Sequence, residues 1–257
     1  KEQEFIELLD DIQDNLADYL ATQKIAFELA DNMRTKIIKD IFAPSQYLNA
    51  RERQSYDNFM KGFLAQSYAA SLITFNYTQS IESILDYQEG HPISSSREYN
   101  GSKYSIIIKK IRHIHGTIDN NMILGVNDIS QIDNQNFRKT GELLNHFVKP
   151  QMNIDAGTLR DERSKTEISS ADLICIYGMS LGETDKVWWQ LINKRLVNSG
   201  AVLIIFAVKE KIPLRRDYIA RTYKDKIIEK LLSYSSLTNE VKEKVKERIF
   251  VSINSEM

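Results

Sequence analysis

One cysteine, four prolines and ten glycines are spread over 257 residues. The lone thiol, Cys175, has no intramolecular partner, which excludes a disulfide framework and fits a reducing, cytoplasmic setting. No stretch approaches the ~18 consecutive apolar residues of a membrane span, and no signal peptide heads the chain. A membrane is therefore not an expected partner. An excess of charge of one sign is missing too. The formal net charge is −1, so no global field draws the chain onto nucleic acid or an anionic surface. General nucleic-acid binding is not expected. Glycine is absent before Gly62, and the first residue is Lys1 rather than methionine. A chain that opens inside an acidic helical pattern reads as one that has lost an N-terminal piece.

What is present is ordinary for a globular protein: 42 % hydrophobic and 27 % charged residues, in a length that suits one large domain or two small ones. Apolar residues recur at helical spacing from Phe5 to Leu20 (Phe5, Leu8, Leu9, Ile12, Leu16, Tyr19). Ile25, Phe27, Leu29, Met33, Ile37, Ile38 and Ile41 continue as a second helix, which Ala43-Pro44 ends. A third helix takes Tyr56, Phe59, Met60, Phe63 and Leu64 inward. These helices carry no catalytic cluster.

Strand signals then take over. Leu72-Ile73-Thr74-Phe75-Asn76 reads as a short β-branched strand that stops at an Asn, with a helix beginning at Gln79. Gln88 to Lys103 reads as a loop, and Tyr104 to Ile108 as a strand leading to His115-Gly116. Asp119-Asn120-Asn121 reads as a turn into a further strand, Met122 to Val126, and Glu142 to Val148 as helical. Leu173 to Tyr177 and Ala201 to Ala207 are continuous apolar runs, as in strands buried on both faces of a parallel sheet. The helix from Lys186 to Val197 between them, followed by Gly200 at its expected C-terminal stop, completes a βαβ unit. A C-terminal helix opening at Leu237 to Glu240 and a last strand, Phe250 to Ile253, close the chain.

Three strand ends share one character. Asn76, His115-Gly116 and Gly178-Met179-Ser180 each put polar or turn-forming residues where open α/β sheets bind ligands. Asn76 has a plainer reading as the cap of the following helix. Asp185 likewise reads first as a helix cap and second as a ribose ligand. His113 and His115 are i and i+2 in a strand, hence on the same face, but no cluster of Cys, His or carboxylates stands near in sequence to complete a metal site. One histidine facing a pocket as acid or base is the better reading. Gly178-Met179-Ser180-Leu181-Gly182 matches the spacing of a hydrolase nucleophile elbow, yet every histidine precedes Ser180, against that fold's order.

The succession Thr74-Phe75-Asn76-Tyr77, Arg112-His113-Ile114-His115-Gly116 and Tyr177-Gly178-Met179-Ser180-Leu181 resembles the sirtuin-like NAD-binding superfamily. More closely, it resembles the bacteriophage abortive-infection AbiH family, where Gly-x-Ser-Leu-Gly-x-x-Asp followed by Trp is typical. Here Gly178 to Asp185 is followed by Trp188 and Trp189. The likeness spans roughly residues 70 to 207. It implies one sirtuin-like domain over 1–257: a helical segment, 1–68, an α/β core, 70–207, and a C-terminal helical region, 208–257. The implied fold is a doubly wound, mainly parallel α/β sheet with helical additions at both ends.

The same resemblance implies an anti-phage effector that hydrolyses NAD at the nicotinamide–ribose bond. Asn76 and His115 would carry the chemistry, and Thr74, Gly116, Gly178, Ser180 and Asp185 would hold the nucleotide, with no metal. A phage-derived trigger or a defence-system protein is the implied partner, and a homo-oligomer is left open. Two departures carry the alternative, a catalytically degenerate nucleotide- or partner-binding module. Thr78 stands where relatives often have Asp, and the family's opening Gly-Asn-Gly-Phe-Asp-like loop has no counterpart. A nuclease-type effector finds no carboxylate–metal constellation.

Overall fold

The computed structural model describes residues 2–22, 31–208 and 217–253. In chain order the helices α1 (Glu2–Thr22), α2 (Asp31–Phe42) and α3 (Ala50–Met60) come first, then β1 (Tyr68–Thr74) and α4 (Ser80–Leu85). β2 (Ile93–Tyr99) and β3 (Ser102–His113) follow, then α5 (Gly141–Phe147), α6 (Lys149–Asp155) and α7 (Arg160–Ser170). β4 (Leu173–Tyr177), α8 (Lys186–Asn198), β5 (Val202–Ala207), α9 (Asp217–Ser233), α10 (Asn239–Lys246) and β6 (Ile249–Ile253) complete the chain. The fold is mixed α/β, with parallel strands and many helices.

The described strands form two three-stranded sheets, ordered β1-β3-β2 and β4-β5-β6. In the second, β4 pairs parallel with β5, Leu173 opposite Val202 through Tyr177 opposite Phe206. β5 pairs parallel with β6, Leu203 opposite Ile249 through Ala207 opposite Ile253. Parallel neighbours need crossovers, which α8 supplies between β4 and β5, and α9 with α10 between β5 and β6. In the first sheet, β2 and β3 form a hairpin over Asn100-Gly101, whose φ values of 50° and 76° are those of a type I′ turn. The expected loop from Gln88 to Lys103 is largely this hairpin. Ser105 N donates to Ser67 Oγ at one end and Ile114 N to Thr74 O at the other, so β1 and β3 advance in the same direction.

The chain divides into two compact units. One comprises Lys1–Thr35, Ala69–Ser95 and Ile107–Ser164; the other comprises Lys36–Tyr68, Ser96–Ile106 and Lys165–Met257. In the first, Phe5 of α1 packs on Phe137 and Phe147 with ring centroids 5.1 and 5.6 Å apart. Ile6 and Leu9 are buried, whereas Leu8 and Ile12, which the helical spacing predicts inward, are exposed.

In the second unit the core forms around β5. Val202, Ile204 and Phe206 pack with Leu48, Tyr56 and Phe250. Tyr177 stacks on Phe206 at 4.1 Å with the rings 9° from parallel. The half-buried Cys175 thiol lies in the same packing, and burial pushes its pKa up to about 12, so it stays protonated. α3 begins with a reciprocal cap: Asn49 Oδ1 accepts from Glu52 N at 2.9 Å, and Glu52 Oε2 accepts from Asn49 N at 3.2 Å. α8 ends differently from the sequence expectation. Ser199, in extended conformation, is the C-cap rather than a left-handed Gly200. The Arg248 guanidinium satisfies the helix end instead, donating to the carbonyls of Leu196, Ser199 and Ala201.

Two further expectations change. Met122 to Val126 forms no strand; Val126 makes only an isolated bridge to Val148. Residues 23–30, including Ile25, Phe27 and Leu29 of the expected second helix, lie outside the described residues, as does the side chain of Met33.

Ile204 is 0 % exposed within its cluster. Ile204→Ala is therefore expected to cost about 2–5 kcal/mol, because the cavity adds to the lost transfer energy. Urea denaturation monitored by circular dichroism measures it; a loss below about 1 kcal/mol would mean that the site collapses freely.

Candidate functional site

The first unit gathers Thr74, Asn76, His115 and Gly116; Gly178, Ser180 and Asp185 belong to the second. β1 ends at Thr74, which is buried. Its hydroxyl accepts from Asn76 N at 3.1 Å and its carbonyl from Ile114 N at 3.1 Å, so the chain leaves the sheet in a fixed direction. Asn76 is exposed and does not cap α4, which starts at Ser80 with Gln79 in the cap position. Thr78 Oγ1 is hydrogen-bonded to Ser80 Oγ at 2.9 Å.

The Asn76 carbonyl is held by His113. Nδ1 of His113 lies 2.8 Å from Asn76 O, and Nε2 lies 2.7 Å from Glu82 Oε1 on α4. A carbonyl only accepts, so Nδ1 donates; an ionised Glu82 also only accepts, so Nε2 donates as well. Both protons are present only in the imidazolium. Burial opposes that charge, but the hydrogen bonds to Glu82 and Asn76 and the carboxylate's charge outweigh it, and the pKa is raised above 6.5.

His115 has the opposite environment. β3 stops at His113, so His115 sits in a turn, and the shared strand face expected for the two histidines does not arise. Its ring lies edge-on to Phe75 at 5.3 Å, and Lys149 Nζ approaches Nε2 at 3.4 Å. The ammonium can only donate, so Nε2 carries the lone pair, and the other ring nitrogen donates to the Phe75 carbonyl. Burial, reinforced by the Lys149 charge, lowers the pKa to about 3 against the weaker pull of Phe75. His115 is therefore a neutral imidazole and a weak proton acceptor.

Gly116 turns the chain at φ 74°. A Cβ there would meet the Asn121 carbonyl oxygen at 1.9 Å, so the chain's own return fills the space beside the glycine. Thr117 and Asn120 close this turn by exchanging backbone hydrogen bonds of 3.0 Å. Gly116 and His113 line a cleft of about 420 Å³ with Lys110, Arg112, Thr117, Arg160 and Arg163. Asn76, Thr74 and His115 are not among its lining residues. The cations of this wall escaped the sequence reading, which followed strand ends. The run Lys109-Lys110-Ile111-Arg112-His113 and the i, i+3 pair Arg160 and Arg163 are the signal that pointed there. Among the described residues no group of three or more His, Cys, Asp or Glu side chains is arranged to hold a metal.

In the second unit, the loop after β4 presents Gly178 at φ 63°, and both Gly178 and Ser180 are exposed. Leu181 also has positive φ, 50°, a costly conformation for a residue with a Cβ. It persists because the side chain is buried and the loop carbonyls are tied down. Lys230 Nζ donates to Ser180 O at 2.9 Å, the Tyr234 hydroxyl to Leu181 O at 2.8 Å and Trp189 Nε1 to Gly182 O at 2.8 Å. The indole of Trp189 thus anchors the loop from within α8. Asp185 occupies the cap position of α8 without a side-chain cap hydrogen bond; Thr184 Oγ1 reaches its carboxylate at 3.4 Å.

A mixed α/β chain with polar strand ends and a basic cleft is the class of molecule these features define. It belongs to the bacteriophage abortive infection AbiH family, whose model matches residues 2–206, and that family indicates a role in phage abortive-infection defence. No curated protein matches the chain. Among solved structures it is similar to Toc33 from Arabidopsis thaliana in complex with GDP and Mg2+, at 11 % identity, 82 % of each chain and a TM-score of 0.34. A second Toc33 structure, with Mg2+ and GMPPNP, is similar at 10 % identity, 83 % of each chain and a TM-score of 0.33. Likeness of this degree says nothing of this chain's ligand.

The two histidines make stability depend on pH in opposite senses. His113, with its pKa raised, contributes stability that is present below about pH 6.5 and lost as pH rises through its folded pKa. His115, depressed to about 3, contributes stability that is present above about pH 6.5 and lost as pH falls toward 3. From pH 6.5 to pH 5 that loss is roughly 2 kcal/mol, at 1.36 kcal/mol per pH unit. Urea midpoints across pH 4–9 should peak near pH ~6.5. Glu82→Gln should flatten the alkaline side and His115→Gln the acid side; midpoints unchanged between pH 5 and 8 would contradict both assignments.

Proposed function

We propose that the chain is an abortive-infection effector that hydrolyses NAD, with the strand-end cluster of the first unit as its reacting centre and the fold a doubly wound, sirtuin-like one. The observation that carries this reading is the neutral His115 imidazole, with a lone pair on Nε2 and the Lys149 ammonium 3.4 Å away. A lone pair beside a fixed cation suits a ribose: the nitrogen accepts from a hydroxyl, and the ammonium favours the negative charge that builds as that hydroxyl loses its proton. The bond from ribose C1′ to the nicotinamide nitrogen breaks, and the electron pair leaves with nicotinamide. Water oxygen bonds to C1′ and its proton passes to solvent, giving ADP-ribose. Asn76, exposed beyond β1, positions that water, a task that needs neither a metal nor an enzyme nucleophile. A phage product or a second defence protein is the expected trigger, as the family's role fits.

One observation favours a second reading. A base with a pKa of about 3 holds a proton poorly, and the burial and Lys149 charge that depress it are present before any ligand arrives. If both persist in the complex, the same cluster binds without reacting, as a nucleotide- or partner-binding module.

Incubating the protein with NAD and following nicotinamide release separates the two. Hydrolysis predicts turnover that falls by about 10²–10⁴-fold in Asn76→Ala and His115→Ala, the usual range for positioned acid–base groups. Uptake of NAD by calorimetry with no nicotinamide released leaves only the binding module.

A further inference from the structure

Helix α1 divides its surface into three rows. Ile6 and Leu9 turn inward and are buried, and Phe5 packs on Phe137 and Phe147. A second apolar row faces outward. Leu8, Ile12 and Tyr19 are 56 %, 49 % and 59 % exposed, and they follow one another at the spacing of a single helix face. Beside them runs a third row, Glu4, Glu7, Asp11, Asp14 and Asp18, which alternates steps of three and four and is exposed throughout. Glu2–Thr22 holds seven carboxylates and no Lys, Arg or His. Carboxylates three and four apart on a helix repel one another, so this row costs the helix stability that a cationic neighbour would restore.

The outward apolar row opens onto a groove within the same unit. Leu8, Leu9 and Ile12 line it from α1, and Leu124, Val126 and Phe147 line it from the segments before and within α5, around a space of about 380 Å³. Among the described residues that line it, none is charged or polar. The wall facing α1 is held by the backbone: Val126 N donates to Phe147 O at 2.9 Å, and Lys149 N donates to Val126 O at 2.9 Å. Gly125 allows that close approach, since a Cβ there would meet the Phe147 carbonyl oxygen at 2.2 Å. A preformed apolar groove bordered by a row of one charge is a surface suited to an amphipathic helix of the opposite charge.

We propose that this groove docks a cationic amphipathic helix of a partner protein. The apolar face of that helix covers Leu8 and Ile12 and fills the groove, and its flanking Lys or Arg side chains meet Asp11, Asp14 and Asp18. Charge decides against two other occupants. A second copy of α1 would set one acidic row against another, and the same carboxylates repel an anionic membrane surface. The proposal concerns a partner protein and not the nucleotide, so it stands or falls apart from NAD hydrolysis.

Fluorescence anisotropy on the full chain tests it with three labelled peptides of about 18 residues, long enough to form a helix. The first carries Leu along one helix face with Lys beside it. The second keeps the Leu face and replaces Lys by Glu, and the third has the composition of the first in scrambled order. The first should bind, with affinity falling as salt rises, and the other two should bind about tenfold more weakly or worse. Leu8→Ser combined with Ile12→Ser should weaken the first peptide about tenfold or more, because two apolar contacts are lost. The thermal midpoint of that variant should hold or rise, since both side chains are exposed in the free protein. Asp11→Asn, Asp14→Asn and Asp18→Asn together should weaken binding several-fold and flatten its salt dependence. No binding of the first peptide at low salt overturns the proposal, as does equal binding of the scrambled peptide or binding unchanged by the Leu8→Ser, Ile12→Ser pair. A dimer seen by sedimentation and lost in that pair overturns it in favour of a second copy. Binding to phosphatidylglycerol–phosphatidylcholine vesicles that the same pair abolishes overturns it in favour of a membrane.

Discussion

An imidazole ring that must donate from both nitrogens is the constraint on which the first unit's site depends. His113 stands between the Asn76 carbonyl and the Glu82 carboxylate, and neither acceptor can return a proton. The ring therefore joins three pieces of chain: the end of β3, the segment leaving β1 and the helix α4. It also holds a positive charge at the edge of the cleft, where a neutral histidine would hold none. Remove the carboxylate, and only the hydrogen bond to Asn76 is left to oppose burial and the Arg160 charge at the ring.

Two residues further on, the same side chain has the opposite chemistry. His115 meets an ammonium where His113 meets a carboxylate, and it is buried against Phe75 and Tyr77. One ring is held toward its charged form by its acceptors, and its neighbour is a neutral base. A pair of like groups driven apart by their surroundings is a pattern in which acid, base and binding roles are commonly divided. Here the division is between a charge favoured at the cleft and a lone pair beside Lys149. Gly116, the residue after His115, owes its place to the return of the chain: the Asn121 carbonyl occupies the space a Cβ would need.

Legibility along the chain follows how local the deciding forces are. β4, α8 and β5 were readable because the strands are apolar throughout and the helix between them has the spacing a parallel pair requires. The β2–β3 hairpin went unread although Asn100-Gly101 is a strong local turn signal, because β2 is rich in serine and shows little apolar alternation. Gly200 has the residue type of a helix stop, but α8 is ended by Arg248, distant in sequence and adjacent only after β6 is in place. Met122 to Val126 has the composition of a strand, yet its hydrogen bonds go to the His115 carbonyl and to α5 and α6.

The sequence by itself determined the family and the mixed α/β class, because apolar runs, turn residues and motif order are properties of neighbours in the chain. Only the tertiary structure decided which histidine is charged, which is neutral and which faces the cleft. Those outcomes depend on Glu82, Lys149 and burial, all contributed by other segments. The cleft itself belongs to the second kind. Its cations come from β3 and from α7, some fifty residues apart; each run is visible in the sequence, but only folding brings the two to one wall.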